Sequence, residues 1–175
     1  MKEFFSPIAA LIDGSLLQAG ALWALREIPG FPPIIQTVHL LGIAVIMGSI
    51  VMLNLRTLGL AMPSQSLAEM SARLSPWLWW ALASNFVSGS FFLLARPLRY
   101  FENPVFFWKL GFLIPAIILS VVSIRATAGL RIDWEISAPQ KNATKLIAFA
   151  CLALWILTAM AGRWIAYAEY IFFPA

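Results

Sequence analysis

Apolar residues fill four long stretches of the chain, and short polar connections separate them. The stretches cover residues 34–53, 77–95, 105–124 and 146–167, and each reaches the roughly 20 residues that a helix needs to cross about 30 Å of hydrocarbon. Backbone polar groups inside a bilayer are satisfied only in helices and closed barrels, and short connections make neighbouring helices antiparallel. The pattern therefore predicts an all-α integral membrane protein, an antiparallel four-transmembrane-helix bundle over residues 34–175.

The first 33 residues follow a less uniform pattern. The segment from Phe4 to Leu25 is apolar, but Asp13, Ser15 and Gln18 interrupt it, and a Pro-rich linker follows. An amphipathic helix lying in the membrane interface has this mixed character. A signal peptide is the competing interpretation, but the segment lacks a basic cluster at its start and an A-x-A-like cleavage site. Residues 1–33 are therefore predicted to form an interfacial amphipathic helix and its linker.

The composition agrees with a membrane-embedded chain. Hydrophobic residues make up 61% of the sequence and charged residues 11%, with a mean hydropathy of +0.84, whereas soluble domains carry about 25% charged residues. The net charge of +4 is scattered between apolar runs and never forms the basic stripe that nucleic-acid binding requires. A water-soluble globule and a nucleic-acid-binding protein are therefore excluded, and the single Cys151 excludes an intrachain disulfide.

The distribution of basic residues favours one orientation. Four spans place both termini on one side of the membrane, together with the second connection. Leaving out Lys109 and Arg163, which lie inside spans, four basic residues remain on the terminal side against six on the other. The positive-inside rule then places the first and third connections in the cytoplasm and both termini outside.

Three basic residues lie inside the apolar stretches, where ionisable groups are costly and usually functional. His39 is five residues into the first span, Lys109 four residues into the third, and Arg163 four residues before the end of the fourth. At about 1.5 Å per residue, all three lie roughly 6–8 Å from the same membrane face. The antiparallel bundle is therefore expected to bring them into one layer, on the side of the termini.

Other polar residues extend this predicted layer. Tyr167 lies one turn beyond Arg163, Tyr100 and Asn103 come from the connection above Lys109, and Asn85 belongs to a stripe of small and polar residues in the second span. Such a site suits a polar or anionic head, namely a quinone, a haem propionate, a lipid phosphate or a partner's carboxylate. The candidate cofactor-binding residues are His39, Lys109, Arg163, Tyr167, Asn103, Tyr100 and Asn85.

Each of these residues also has a plainer interpretation. Lys109 and Arg163 are close enough to the interface for their charged ends to reach the lipid headgroups. His39, as a lone histidine, can be a hydrogen-bonded structural group. Asn85 and Ser88 can hold neighbouring helices together without binding a ligand.

Several activities lack their sequence motifs. The chain has one histidine and no C-x-x-C-H, H-E-x-x-H, G-x-S-x-G or Walker sequence, which disfavours a self-contained hydrolase and a bis-His haem within one chain. No carboxylate lies inside the four apolar stretches, and no inverted repeat with broken helices is visible, so a carrier is also disfavoured. Haem b remains an alternative in which His39 ligates the iron and Met160 or a second chain supplies the other ligand.

A family resemblance rests on three runs of sequence. They are HLLGIAVIMGSIVMLNLRTLGLAMP from His39, SPWLWWALASNFVSGSFFLLARPLRYFENPVFFWKLG from Ser75 and AGRWIAYAEY from Ala161. In combination they resemble a family of small bacterial inner-membrane proteins that is known only as a domain of unknown function. The resemblance implies a four-span fold in that membrane, where outward-facing termini are periplasmic, and no established activity. On this resemblance the characteristic positions are His39, Arg56, Gly59, Pro76, Gly89, Tyr100, Asn103, Lys109, Gly162, Arg163 and Tyr167.

One position departs from the family pattern. Asn54 stands where an acidic residue usually precedes the Leu-Arg pair, which removes a potential partner of Arg56.

Three functions follow as hypotheses. The leading one is an accessory or anchor subunit, not itself an enzyme, which binds a polar-headed cofactor or lipid or docks a partner, as a homo-oligomer or within a larger membrane complex. The alternative is a b-type haem electron-transfer subunit that uses His39 as iron ligand. The third is a carrier of a small solute or metal.

Overall fold

The chain folds almost entirely into helices. A computed structural model describes residues 7, 9–128 and 138–168, apart from the side chains of 127, 128 and 138–141, and no strand occurs in this part of the chain. The helices are α1 (Leu16–Glu27), α2 (Phe31–Leu58), α3 (Leu67–Ala95), α4 (Pro97–Phe101), α5 (Pro104–Ala128) and α6 (Ala138–Trp164), followed by a 3-10 turn (Ile165–Tyr167).

Four of these helices are long and apolar enough to cross a membrane. The candidate spans are Phe31–Leu58, Leu67–Ala95, Pro104–Ala126 and Asn142–Tyr167, and no more than 33% of the most apolar window of each is buried. Large apolar side chains lie on the outer surface, with Phe86 77% and Trp80 73% exposed. Monomeric soluble proteins rarely expose apolar surface on this scale. The fold is therefore that of a multi-pass membrane protein, as predicted.

The four long helices form an antiparallel bundle. α2 packs against α3 and α6, α5 packs against α6, and a smaller contact joins α3 to α5. Short connections join α2 to α3 and α3 to α5, and the nine residues between α5 and α6 lie outside the described part of the chain. The buried core contains Ile46, Ile50, Leu78, Ala81, Ala116, Cys151 and Trp155.

The second spanning helix is longer than the sequence pattern predicts. The second apolar stretch begins at Trp77, whereas α3 begins at Leu67 and continues through Pro76. The Ser66 hydroxyl accepts a hydrogen bond from the backbone N–H of Glu69 at 3.1 Å. This Ser-x-x-Glu start is a capping signal that stabilises the helix ahead of the proline.

The predicted N-terminal segment forms two helical stretches, residues 9–12 and, after a break, α1. The described part of that segment is interrupted at Gly14, which adopts the left-handed conformation (φ 75°), and α1 begins after the capping residue Ser15. Residues 1–6 and 8 lie outside the described residues. α1 buries Ala21 and Ala24, contacts α3 and α2, and leaves Trp23 61% exposed. It therefore has one face on the bundle and one apolar face outside.

Candidate functional site

The His39 ring sits between α2 and α3. Its Nδ1 lies 2.8 Å from Ser88 Oγ, and the Ser88 hydroxyl donates to the carbonyl oxygen of Ser84 at 2.7 Å. Gly89 leaves room for the ring, because a Cβ at that position would lie 3.3 Å from His39 Cε1. Ser88 is only 1% exposed. The ring is thus held from its Nδ1 side by a buried hydroxyl of the neighbouring helix.

Asn85 binds the same turn of α2 through its amide. The amide nitrogen donates to the carbonyl oxygen of His39 at 2.7 Å, and the amide oxygen accepts from the backbone N–H of Ile43 at 3.1 Å. Gly42 makes this approach feasible, because a Cβ there would come within 2.5 Å of the Asn85 amide. Both polar ends of Asn85 are therefore used for helix pairing, and Asn85 fixes the backbone that carries His39.

Lys109 reaches the same region from α5. Its side chain lies over Gly162 of α6, where a Cβ would be 3.6 Å from Cε and 3.8 Å from Nζ. The ammonium acts electrostatically on the His39 ring. In the described part of the chain, no hydrogen bond or ion pair involves Lys109. We call His39, Asn85, Ser88 and Lys109 the His39 cluster.

Arg163 and Tyr167 lie outside the His39 cluster. Both side chains are exposed, and Arg163 Nη2 donates to the Tyr167 hydroxyl at 3.1 Å while its guanidinium stands 5.3 Å from the centre of the Tyr167 ring. They pair with each other on the outer surface of the bundle, Arg163 at the end of α6 and Tyr167 in the 3-10 turn that follows. The predicted layer is therefore divided into an interior part and a surface part.

The two candidates from the second connection have structural partners. Asn103 Oδ1 accepts from the backbone N–H of Val105 at 3.0 Å, and its Nδ2 donates to the carbonyl oxygen of Ile165 at 3.0 Å. It thus caps α5 and ties this helix to the end of α6. Tyr100 is half-buried with its ring edge against Phe106, 5.7 Å between centroids. Burial raises the pKa of the Tyr100 phenol, so the neutral hydroxyl is favoured.

Ser88 contacts the His39 ring, whereas its place in the sequence indicates only a role in helix packing. Which residue of α3 meets His39 depends on the relative rotation and height of α2 and α3, which the sequence of either helix does not specify. The only local signal is the stripe of small and polar residues on α3, Ala81, Asn85 and Gly89, since small residues allow close helix approach.

A second polar group lies deeper in the bundle, on α2, α5 and α6. Trp155 Nε1 donates to Ser120 Oγ at 2.9 Å, and Ser120 donates to the carbonyl oxygen of Ala116 at 2.8 Å. The Cys151 sulfur is 3.4 Å from Ser120 Oγ. Asn54 is 2% exposed and donates to the Ile50 carbonyl of its own helix. The contacts of Ser120 with Cys151 and Trp155 join α5 to α6 through buried hydrogen bonds.

The fold and the two polar groups define the class of protein. It is a multi-pass membrane protein with a polar cluster between its helices. The chain belongs to the family of unknown function DUF6644, whose model matches residues 30–168. The match covers all four candidate spans, and it begins at residue 30, after the end of α1. No curated protein and no solved structure matches the chain.

Proposed function

We propose that this chain is an accessory or anchor subunit of the bacterial inner membrane whose His39 cluster binds the polar head of a cofactor or lipid. The observation that carries the proposal is the ammonium of Lys109, which lies inside a span, over Gly162, without a hydrogen bond or ion pair from the described residues. A charge in this position is expensive unless it is compensated. An acceptor group brought by a ligand supplies that compensation.

The His39 cluster has the chemistry of a binding site. Lys109 offers three donor hydrogens, His39 offers a ring nitrogen, and Asn85 and Ser88 are already engaged with the protein. Ligands with oxygen atoms at the depth of the headgroups satisfy this arrangement. Arg163 and Tyr167, exposed on α6, would hold the same ligand's outer part or a partner subunit in a homo-oligomer or larger complex.

The orientation is part of the proposal. Outside the apolar stretches 34–53, 77–95, 105–124 and 146–167, six basic residues lie on the side of the first and third connections against four on the terminal side, which supports cytoplasmic placement of these connections and periplasmic termini. The His39 cluster would then open towards the periplasmic leaflet.

The test is the ligand content of the Lys109→Gln variant. Purified in mild detergent and examined by native mass spectrometry, wild-type protein is expected to retain a bound polar-headed molecule or anionic lipid, and the variant to lose at least tenfold in occupancy. The loss follows because a neutral amide replaces a charge-assisted donor. The matched control is Lys145→Gln, an exposed lysine at the other end of α6. Equal occupancy in wild type and Lys109→Gln contradicts the proposal.

A b-type haem is the second candidate, favoured by one observation. Ser88 holds the His39 ring from Nδ1, and no hydrogen bond from the described residues reaches Nε2, the nitrogen that would ligate an iron. Lys109 would then bind a propionate. A reduced-minus-oxidised absorption spectrum of protein from a haem-replete culture tests this candidate. A haem band that disappears in His39→Ala supports it, and colourless wild-type protein contradicts it.

A further inference from the structure

Ser88 determines which nitrogen of His39 carries the proton. The Ser88 hydroxyl has one hydrogen, and it lies 2.7 Å from the Ser84 carbonyl oxygen, which can only accept. With the hydrogen on this carbonyl, Ser88 Oγ is left as an acceptor towards His39. The 2.8 Å contact between Ser88 Oγ and His39 Nδ1 is then favourable only if Nδ1 carries a hydrogen and donates it. Because Ser88 is 1% exposed, bulk water does not take over either role.

A proton on Nδ1 determines the state of the other ring nitrogen, Nε2. A neutral imidazole carries one hydrogen, so the Nδ1–H form leaves a lone pair on Nε2. The described residues make no hydrogen bond to that nitrogen. The Lys109 ammonium, which acts on the same ring, has donors only. The His39 cluster thus offers one acceptor, Nε2, and one cationic donor, Nζ.

The geometry points to a head group that brings an O–H to His39 Nε2 and an oxygen acceptor to Lys109, with Ser88 as the positioning residue that selects for the O–H. This inference rests on the proposed function and narrows its ligand class. Two membrane-soluble sources have the required chemistry. A hydroquinone has hydroxyl groups, which its quinone lacks, and phosphatidylglycerol combines a phosphate with glycerol hydroxyls.

The ring proton can be observed directly, because His39 is the single histidine of the chain. Protein labelled with ¹⁵N-histidine is expected to show one protonated nitrogen at Nδ1 and one bare nitrogen at Nε2. The spectrum is recorded at pH 8, above the ordinary histidine pKa of about 6.5. In Ser88→Ala the acceptor for Nδ1–H is lost, and Nε2–H is expected to become populated. A wild-type spectrum with the proton on Nε2 overturns the inference.

The control for this variant lies on the same helix. The Ser90 hydroxyl donates to the Phe86 carbonyl and does not contact His39, so Ser90→Ala removes an equivalent hydroxyl. It is expected to leave the ¹⁵N signals of the ring unchanged. If Ser90→Ala shifts them as much as Ser88→Ala does, a general change in helix packing explains the effect and the inference fails.

Ligand selectivity is the second test. In phosphatidylcholine nanodiscs, wild-type protein is expected to bind a short-chain ubiquinol about tenfold more tightly than the ubiquinone, since the quinone presents a carbonyl lone pair to the Nε2 lone pair. The lipid arm compares phosphatidylglycerol with phosphatidylmethanol, which has the same charge without the hydroxyls. The pair of ligands that shows a preference for the O–H form identifies whether the ligand is a hydroquinone or a lipid. In Ser88→Ala that preference is expected to fall below about twofold, because Nε2–H can donate to the quinone.

The outcomes separate this inference from the proposed function. If both members of each pair bind equally and Lys109→Gln still holds less ligand than wild type, the selection for an O–H is overturned. A site for a polar head then remains. Binding of none of the four molecules, together with equal ligand content in wild type and Lys109→Gln, overturns the proposed function and this inference with it. A preference for the O–H form that disappears in Ser88→Ala but not in Ser90→Ala supports both.

Discussion

Replacing Gly42 by alanine is expected to destabilise the bundle by about 1–3 kcal/mol, although alanine is the better helix former. The added Cβ would come within 2.5 Å of the Asn85 amide. Asn85 would have to turn away and give up its hydrogen bonds to the His39 carbonyl and the Ile43 N–H. Interhelical hydrogen bonds in membrane proteins are worth about 0.6 kcal/mol on average and up to about 1.7 kcal/mol. Unfolding in mixed detergent micelles of increasing SDS fraction measures the change.

Gly48 is the matched control for this substitution. It lies in the same helix, and a Cβ added there would have nothing within 4 Å, so Gly48→Ala is expected to be neutral or slightly stabilising. A double-mutant cycle isolates the mechanism. In an Asn85→Ala background the clash is absent, and Gly42→Ala is expected to cost less than about 0.5 kcal/mol. Equal costs of Gly42→Ala with and without Asn85 would show that a different contact is responsible.

Replacing Trp155 by alanine is expected to cost about 2–4 kcal/mol. Trp155 is 4% exposed in the core shared by all four spans, and its Nε1 donates to Ser120 at 2.9 Å. The substitution leaves a large cavity and removes a hydrogen bond between α5 and α6. Lipid tails are as apolar as the core, so the loss arises from packing and hydrogen bonding and not from exposure to water. The same SDS titration measures it.

Two comparisons show which part of the Trp155 side chain is responsible. Trp155→Phe retains most of the ring and removes only the N–H, while Ser120 still donates to the Ala116 carbonyl, so a cost of about 0.6–1.7 kcal/mol is expected. Trp80, 73% exposed on α3, is the control for the loss of an indole, and Trp80→Ala is expected to cost less than about 1 kcal/mol. Equal costs at Trp80 and Trp155 would contradict the assignment of Trp155 to the core.

Both predictions concern the contacts that hold membrane helices together. Gly42 and Gly89 let a polar side chain from another helix approach closely, Asn85 in one case and His39 in the other. The same small residues therefore serve stability and place the polar groups of the His39 cluster. In a protein of this kind, a substitution at a glycine is expected to affect binding and folding together.

The sequence alone determined the class of protein and the number of spans. Helix hydrogen bonds are local and the thickness of the bilayer is fixed, so the length of an apolar run predicts a spanning helix without knowledge of its neighbours. All four predicted stretches lie within observed helices. The second stretch covers only part of its helix, because the capping signal at Ser66 starts α3 at Leu67, ahead of Pro76.

The depth of the candidate residues in the membrane could also be predicted from the sequence, because the helical rise converts position along the chain into height. This argument places His39 and Lys109 at one level. It could not predict which way each side chain faces. Arg163 has the expected height but lies on the outer surface of α6, paired with Tyr167.

Only the tertiary structure decided the partners. The contacts of His39 with Ser88, and of Asn85 with the backbone beside Gly42, depend on the rotation and register of α2 against α3. Each helix is apolar nearly all round, since most of its surface faces lipid, so hydrophobic periodicity does not mark the inward face as it does in soluble proteins. The sequence therefore determined the spans and the height of the polar residues, and interhelical packing determined which of them meet.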